Sequence, residues 1–473
     1  MTMISPYVPS RPDSPTAFEL WADRLAILFL CLYTAECAIG CSGRWLSFGP
    51  VSIRMLLFAC CLILTFPKVI RQIKDIVRLP YFWVLIAFAL ILAVSAVIGL
   101  KNGNSKNFVF SDITSLLSFA LFPGVVVTVN TRQRLRLVMK VMFYATAVLA
   151  LATTVLHFVL AFLSTAEITA LNNWINDLSL GGLAKMPTGV QRIYLRSQIF
   201  LQIALLFGIW QLKVCESKAE RMLIWVCEAL MLFSVILTYT RGFWLALAFS
   251  AVLFFAVFIR HWRHCLKCAG ILALSLIVLL GASWAAYRSP CASVAILERF
   301  DPSLIVIMPQ RPGEEPEEPE DDDAFSAAAT LRSRTLAEQN LYIMEHPILG
   351  NGLGKNLDGI RDDGKTEYMY QDLWMKTGII GLGLFLLSCF WHTGAMVRRL
   401  IRAKKEERTE LLRWHTDSGH ALLWCCSVIG VAVTSYFNPF LSTPMGILVV
   451  LLTAVAVNIF LQNNPANKVK TEE

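Results

Sequence analysis

Twelve apolar runs, each 16 to 26 residues long and separated by polar joints, dominate this chain of 473 residues. They are 25–40, 51–66, 81–100, 113–129, 138–163, 193–212, 222–240, 242–259, 269–287, 373–391, 421–437 and 441–461. A helix crossing the hydrocarbon of a bilayer needs about 20 mainly apolar residues, so runs of this length are spanning segments. Hydrophobic residues make up 56% of the chain and charged residues 16%, with a mean hydropathy of +0.58. A soluble protein of this length needs far more polar surface. The fold expected is an all-α polytopic membrane protein with about twelve transmembrane helices.

The net charge of +8 does not point to nucleic acid, because the basic residues sit in loops flanking the apolar runs. Taking alternate joints, one side of the membrane receives 24 Lys and Arg while the opposite short joints are poor in them. The positive-inside rule makes that side cytoplasmic and, with twelve spans, puts both termini there. The chain start, 1–24, is polar and contains Pro and Ser. It has no short apolar region followed by a small-residue cleavage site, so the first run is expected to stay as a span after a loose cytoplasmic tail. Of 13 cysteines most lie within apolar runs, as small hydrophobic residues do, and the long polar loop holds only Cys291, so no disulfide framework is visible.

The expected organisation is spans one to nine over 25–287, with a small outer segment at 164–191. A large outer loop follows at 288–371, then spans ten to twelve over 372–461 and a cytoplasmic tail at 462–473. No internal repeat of the kind found in many secondary transporters is evident.

The large outer loop contains Leu331–Gly354, LRSRTLAEQNLYIMEHPILGNGLG. This reads as a helix ending at His346, because Pro347 disfavours helical geometry before it and removes a backbone donor. Gly350, Gly352 and Gly354 then form a loop able to approach a ligand closely. A histidine at a helix end beside such a loop is either a packing residue or a reaction centre.

Arginines on the same side favour the second reading. Arg192 and Arg196, four apart at the start of span six, are expected to share a helix face. They are either headgroup anchors or ligand-binding groups, and arginines are disfavoured as anchors on the outer side. Arg241 lies between two apolar runs in YTRGFWLALA, with only Gly242 to ease an outer turn. An arginine at mid-bilayer costs roughly 2.5–3.5 kcal/mol on insertion scales, so one so placed has a partner or a task. Arg288, at the outer end of span nine, joins the set, whereas Arg332 and Arg334 on the helix leading to His346 are less constrained. Arginines converging on one histidine suit an anion, because the guanidinium fork matches phosphate oxygens.

Other signals are weaker. The stretch 314–323, EEPEEPEDDD, has eight acidic residues in ten and includes Asp321-x-Asp323, a spacing that can hold a metal. Proline and unbroken charge favour a solvated linker. His261, His264, Cys265 and Cys268 have ligand-like spacing but lack a second pair and lie at a cytoplasmic membrane edge, so no metal site is assigned. Gly350-x-Gly352-x-Gly354 follows a helix rather than a strand and is no dinucleotide fingerprint. Glu36, Lys140, His157 and Glu228 are ionisable residues in or near spans whose depths the sequence does not rank.

Arg332 followed by His346-Pro347-Ile348-Leu349-Gly350-x-Gly352, together with Thr238-Tyr239-Thr240-Arg241-Gly242 closing an outer hairpin, resembles the O-antigen ligase and polymerase superfamily. The large outer loop before the last three spans is similar too. The acidic insert before Arg332 departs from that pattern. The resemblance implies a glycosyltransferase C-like membrane enzyme of the bacterial inner membrane that works at its periplasmic face without metal or cofactor. It implies as donor a glycan on undecaprenyl pyrophosphate and, for the ligase branch, as acceptor a lipid A core oligosaccharide, within membrane lipid. His346 would be the catalytic base and Arg192, Arg196, Arg241 and Arg288 would bind substrate. Imidazole suits a base near neutral pH, and arginines stabilise a pyrophosphate leaving group as its bond breaks. One base and in-line attack imply inversion.

Two rival readings stand beside the ligase. An O-antigen polymerase or a protein O-oligosaccharyltransferase shares these motifs, and the single compact basic site favours the ligase over them. A lipid-linked glycan transporter predicts ionisable residues spread along span faces and a repeat, and gives no reason for the His-Pro-Gly element.

Overall fold

A computed structural model describes residues 7, 17–41, 45–49, 51–300, 322–357, 367–414 and 416–463, with the backbone alone for 48, 322–330 and 463. Helix α1 (Ala17–Ile39) is followed by a short hairpin of β1 (Ser47–Phe48) and β2 (Val51–Ser52). Next come α2 (Ile53–Arg71), α3 (Ile73–Val77), α4 (Pro80–Lys101), α5 (Lys106–Leu116), α6 (Phe122–Thr128) and α7 (Arg132–Leu160). An outlying segment comprises α8 (Thr165–Asp177) and an antiparallel pair, β3 (Gly181–Lys185) and β4 (Gln191–Leu195). Then follow α9 (Ile199–Val214), α10 (Lys218–Leu237), α11 (Arg241–Val257), α12 (Trp262–Tyr287) and α13 (Cys291–Glu298). The chain closes with α14 (Asp322–Glu345), α15 (Met369–Arg402), α16 (Lys405–Leu411), α17 (Asp417–Ser435) and α18 (Pro444–Asn463).

The protein is an all-α polytopic membrane protein. Among the described residues nine helical stretches are long and apolar enough to cross a bilayer, and Arg241–Val257 is a shorter apolar helix. Helices α1 and α10 also lie on expected runs but carry several charges each. Nine of the expected runs thus meet both criteria among the described residues, and the other three lie on α1, α10 and α11. Residues 314–321 of the acidic stretch, Asp321 included, and the tail 464–473 lie outside the described residues. Tyr7, expected in a loose tail, is buried: its N–H donates to Asn458 Oδ1 at 2.8 Å and its hydroxyl to Gln72.

Local chemistry sets the helix boundaries. Pro80 opens α4 at a position where a missing N–H costs nothing. Ser52, Thr131, Ser217 and Thr416 each accept an N–H from the first turn of α2, α7, α10 and α17. Ser164 and Glu167 form a reciprocal capping box on α8. Helices α17 and α18 pack together at the centre and are nearly all buried, whereas α12 stands at the rim with its apolar side chains outward. Outward apolar residues there are what lipid contact requires.

One helix is broken on purpose. Within α15, Gly378 adopts φ 70° and ψ −179°. A Cβ at this position would collide with the Ile348 carbonyl. The N–H of Ile379, freed by the break, donates to the Pro347 carbonyl at 2.9 Å. The His-Pro loop thus supplies the acceptor that the helix gives up.

Candidate functional site: an arginine group and the end of α14

The turn between α10 and α11 is narrow, and Tyr239 takes φ 44° to close it. That left-handed geometry is costly for a residue with a bulky side chain and needs bracing. The Tyr239 ring is buried and its hydroxyl donates to the Ala292 carbonyl of α13 at 3.4 Å. From the other side, Arg192 on β4 donates from Nε to the Thr238 carbonyl and from Nη2 to Thr240 Oγ1, both at 2.9 Å. Arg241, the first residue of α11, is left exposed at the edge of this turn. Gly242 packs against Phe437, where an added Cβ would lie 3.1 Å from the ring.

The same hairpin and turn gather more positive charge. Arg299, just after α13, donates from Nη2 to Met186 Sδ at 3.1 Å, between β3 and β4. Arg241 and Arg332 both act on Arg299, and Arg299 and Arg332 both act on Arg192. Burial first holds the Arg192 and Arg299 guanidinium groups below the ordinary arginine value; Arg299 and Arg332 lower Arg192 further, and Arg241 and Arg332 lower Arg299 against the larger upward pull of Glu298. Burial likewise raises the Glu298 carboxyl above its ordinary value, against the pull of Arg299 and Arg241. Arg332 on α14 pairs with Glu367 at 2.6 Å. Four arginines thus share a neighbourhood that contains the carboxylates of Glu298 and Glu367. Mutual repulsion of this kind is relieved by a bound anion.

Two of the expected substrate-binding residues are placed differently from the sequence reading. Arg192 and Arg196 do not share a helix face. Residues Gln191–Leu195 are extended and pair with Gly181–Lys185, and their burial alternates as a strand requires. Arg196 begins the turn leading into α9 and is exposed. Arg192 lies over the Tyr194 ring at 5.8 Å. Both arginines lower the Tyr194 phenol against the larger upward effect of its burial. Arg288 is exposed at the left-handed cap of α12, φ 51°, and none of the contacts described above includes it.

Helix α14 ends at Glu345, and His346 follows, exposed. Its carbonyl accepts the Gly350 N–H at 3.0 Å, and Pro347 O also accepts from Trp374 Nε1 at 3.0 Å. The freedom of the three glycines lets the loop press closely against the protein. A Cβ on Gly352 would overlap the Gly99 backbone of α4. Along α14, His346 stands about 20 Å from the Arg332 position, at a helical rise of ~1.5 Å per residue. The structure therefore brings Arg192, Arg241, Arg299 and Arg332 together, and sets His346 at the far end of the helix that carries Arg332.

No three of the His, Cys, Asp and Glu side chains among the described residues are placed to hold a metal ion. His261 pairs with Lys213, and His264 donates to the Ile209 carbonyl at 3.1 Å, so that motif is used in packing around Trp414. Arg299 escaped the sequence reading because it belongs to no motif; its one signal is an arginine following a short apolar segment in an outer loop.

Fold and charge together define a multi-pass helical membrane protein in which four arginines are near enough to influence one another. Residues 227–386 match the family model described as O-antigen ligase, which supports the resemblance to the O-antigen ligase and polymerase superfamily. The matched segment contains Arg241, Arg299, Arg332 and His346 but not Arg192, which joins them through the β3–β4 hairpin. Members of that family are glycosyltransferase-type enzymes whose substrates are lipid-linked glycans at a membrane. No curated protein matches the chain.

Proposed function

We propose that this chain is an O-antigen ligase. It transfers a glycan from undecaprenyl pyrophosphate to a hydroxyl of a lipid A core sugar, at the periplasmic face of the inner membrane and without a metal. The observation that carries the reading is the group formed by Arg192, Arg241, Arg299 and Arg332 beside the helix that ends at His346. Such a group suits the pyrophosphate, whose charge grows as its bond to the sugar breaks. The acceptor oxygen bonds to the anomeric carbon, its proton passes to the His346 imidazole, and the electron pair of the broken bond leaves on the pyrophosphate. Attack opposite the leaving group inverts the anomeric centre. The step requires His346 within hydrogen-bond reach of the acceptor oxygen, and that oxygen in line with the anomeric carbon and the pyrophosphate oxygen, so the reacting bond of the donor must lie beside His346 rather than a helix length away. That all four arginines form one compact group favours a ligase over a polymerase, which must hold two chains of the same repeating glycan.

The lipopolysaccharide profile of a deletion strain tests the reading. Complete core without any polymer is expected. Core carrying a single repeat unit would instead make the chain a polymerase, and an unchanged profile would remove it from this pathway.

A further inference from the structure

An ion triad lies under the loop that follows His346. Lys376 of α15 is 2% exposed, and its Nζ stands 3.2 Å from Asp112 Oδ1 on α5 and 3.0 Å from Asp372 Oδ2 one turn earlier on α15. The second oxygen of Asp112 accepts the Gly354 N–H at 2.8 Å. The backbone around Lys376 holds the same loop. Lys376 O accepts the Gly352 N–H at 3.1 Å, and Met375 O accepts the Asn351 N–H at 2.8 Å. On the opposite side, Asn104 Nδ2 donates to the Leu353 carbonyl at 2.9 Å. Contacts from α5, α15 and the α4–α5 joint therefore hold four consecutive loop residues, 351 to 354.

Stability alone is a poor reason for this arrangement. Desolvating a lysine and two carboxylates costs free energy that their attraction only partly offsets, and apolar side chains of similar volume often serve as well. What ions add is a defined geometry, because each partner is satisfied in one register only. The register fixed here is that of the loop on α15. It continues directly into His346 through the bonds of Gly350 to His346 and of Ile379 to Pro347.

We propose that Lys376 and Asp112 are positioning residues that hold the Gly350–Gly354 loop on α15, and thereby fix where α14 ends and where His346 is presented. The inference rests on the reading of His346 as the base. Neither residue touches substrate; each acts through the loop.

The test uses full-length protein in lipid nanodiscs with Asp112→Asn, which keeps an acceptor for Gly354 and removes the charge facing Lys376. Lys376→Met is the second variant, and Asp112→Asn decides alone if that variant fails to insert. Amide hydrogen exchange in a peptide covering 350–354 should accelerate about tenfold or more as local opening becomes easier. Transfer kcat should fall about tenfold or more while the donor KM stays within about twofold, because the arginine group is untouched. In a His346→Ala background the same substitution should change the residual rate less than about twofold, since two residues acting through one group are not additive. Equal losses in both backgrounds, or a raised donor KM at constant kcat, would make the triad merely structural and overturn the proposal. Unchanged exchange overturns the clamp while leaving His346 as base intact. Accelerated exchange beside a fully active His346→Ala overturns the base reading, and the positioning role with it.

Discussion

Arg192 and Thr238 come from opposite sides of the site and meet at 2.9 Å, guanidinium Nε to backbone carbonyl. The strand β4 thereby braces the turn that presents Arg241. Arg192→Lys keeps the charge and loses the two-pronged contact with Thr238 and Thr240. A hydrogen bond to a charged group contributes about 1.5–3 kcal/mol, so kcat/KM for the lipid-linked donor should fall between about 10- and 100-fold. Thr240→Val removes only the side-chain acceptor and should cost less. Steady-state transfer at matched protein levels measures both, and equal rates for Arg192→Lys and wild type would mean the brace is dispensable.

Arg241 is exposed and its charge acts on that of Arg299. An ammonium in its place cannot offer the planar fork that fits two phosphate oxygens. Arg241→Lys should lower kcat about 100-fold, the scale of losing one donor aimed at developing charge. Near-normal ligation by this variant would make Arg241 a membrane anchor.

How far the site could be read from sequence depended on how local each signal was. Apolar runs report burial or lipid contact residue by residue, and each expected run falls mainly on helix, the starts of the second and sixth being extended. The start of the sixth failed because Gln191–Leu195 reads equally well as the end of an apolar helix or as an alternating strand, and only its pairing with Gly181–Lys185 decides. The break after His346 was legible because Pro347 acts on its immediate neighbours. Arg299 was not, since it joins Arg192 and Arg241 only after α13 packs under the turn at Tyr239. The glycines were recognised as permissive, but what they approach is Gly99 and Gly378, on helices remote in sequence.

Glu298 offers a pH test of the electrostatic description. Its carboxyl is raised by burial, so the folded state prefers it protonated. Such a group contributes stability at pH values below its unfolded value, and that contribution is lost as pH rises through the folded one. Glu298→Gln, always neutral, should therefore melt at a higher temperature than wild type near neutral pH. The difference should vanish as pH falls below the ordinary carboxylate range. Thermal melts across pH check this; a destabilised Gln variant at neutral pH would mean that the charged form is the favoured one beside Arg299.

Topology is open to a direct chemical test. Arg241, His346 and Lys404 are all exposed, so single cysteines at these positions in a cysteine-free background are accessible to reagent. The bias of 24 basic residues predicts labelling at 241 and 346, and none at 404, when an impermeant thiol reagent is added to intact spheroplasts. The reverse pattern would invert the protein in the membrane.

The central claim is that His346 takes the proton of the acceptor hydroxyl, and one substitution tests it most directly. In vitro ligation should be compared between wild type and His346→Ala, with binding of the undecaprenyl-linked donor measured on the same samples. The account predicts that transfer falls about 10²–10⁴-fold, the usual cost of a positioned base, while donor affinity changes little because the arginine group is intact. Full ligation by the Ala variant, or loss of donor binding in step with rate, would contradict it.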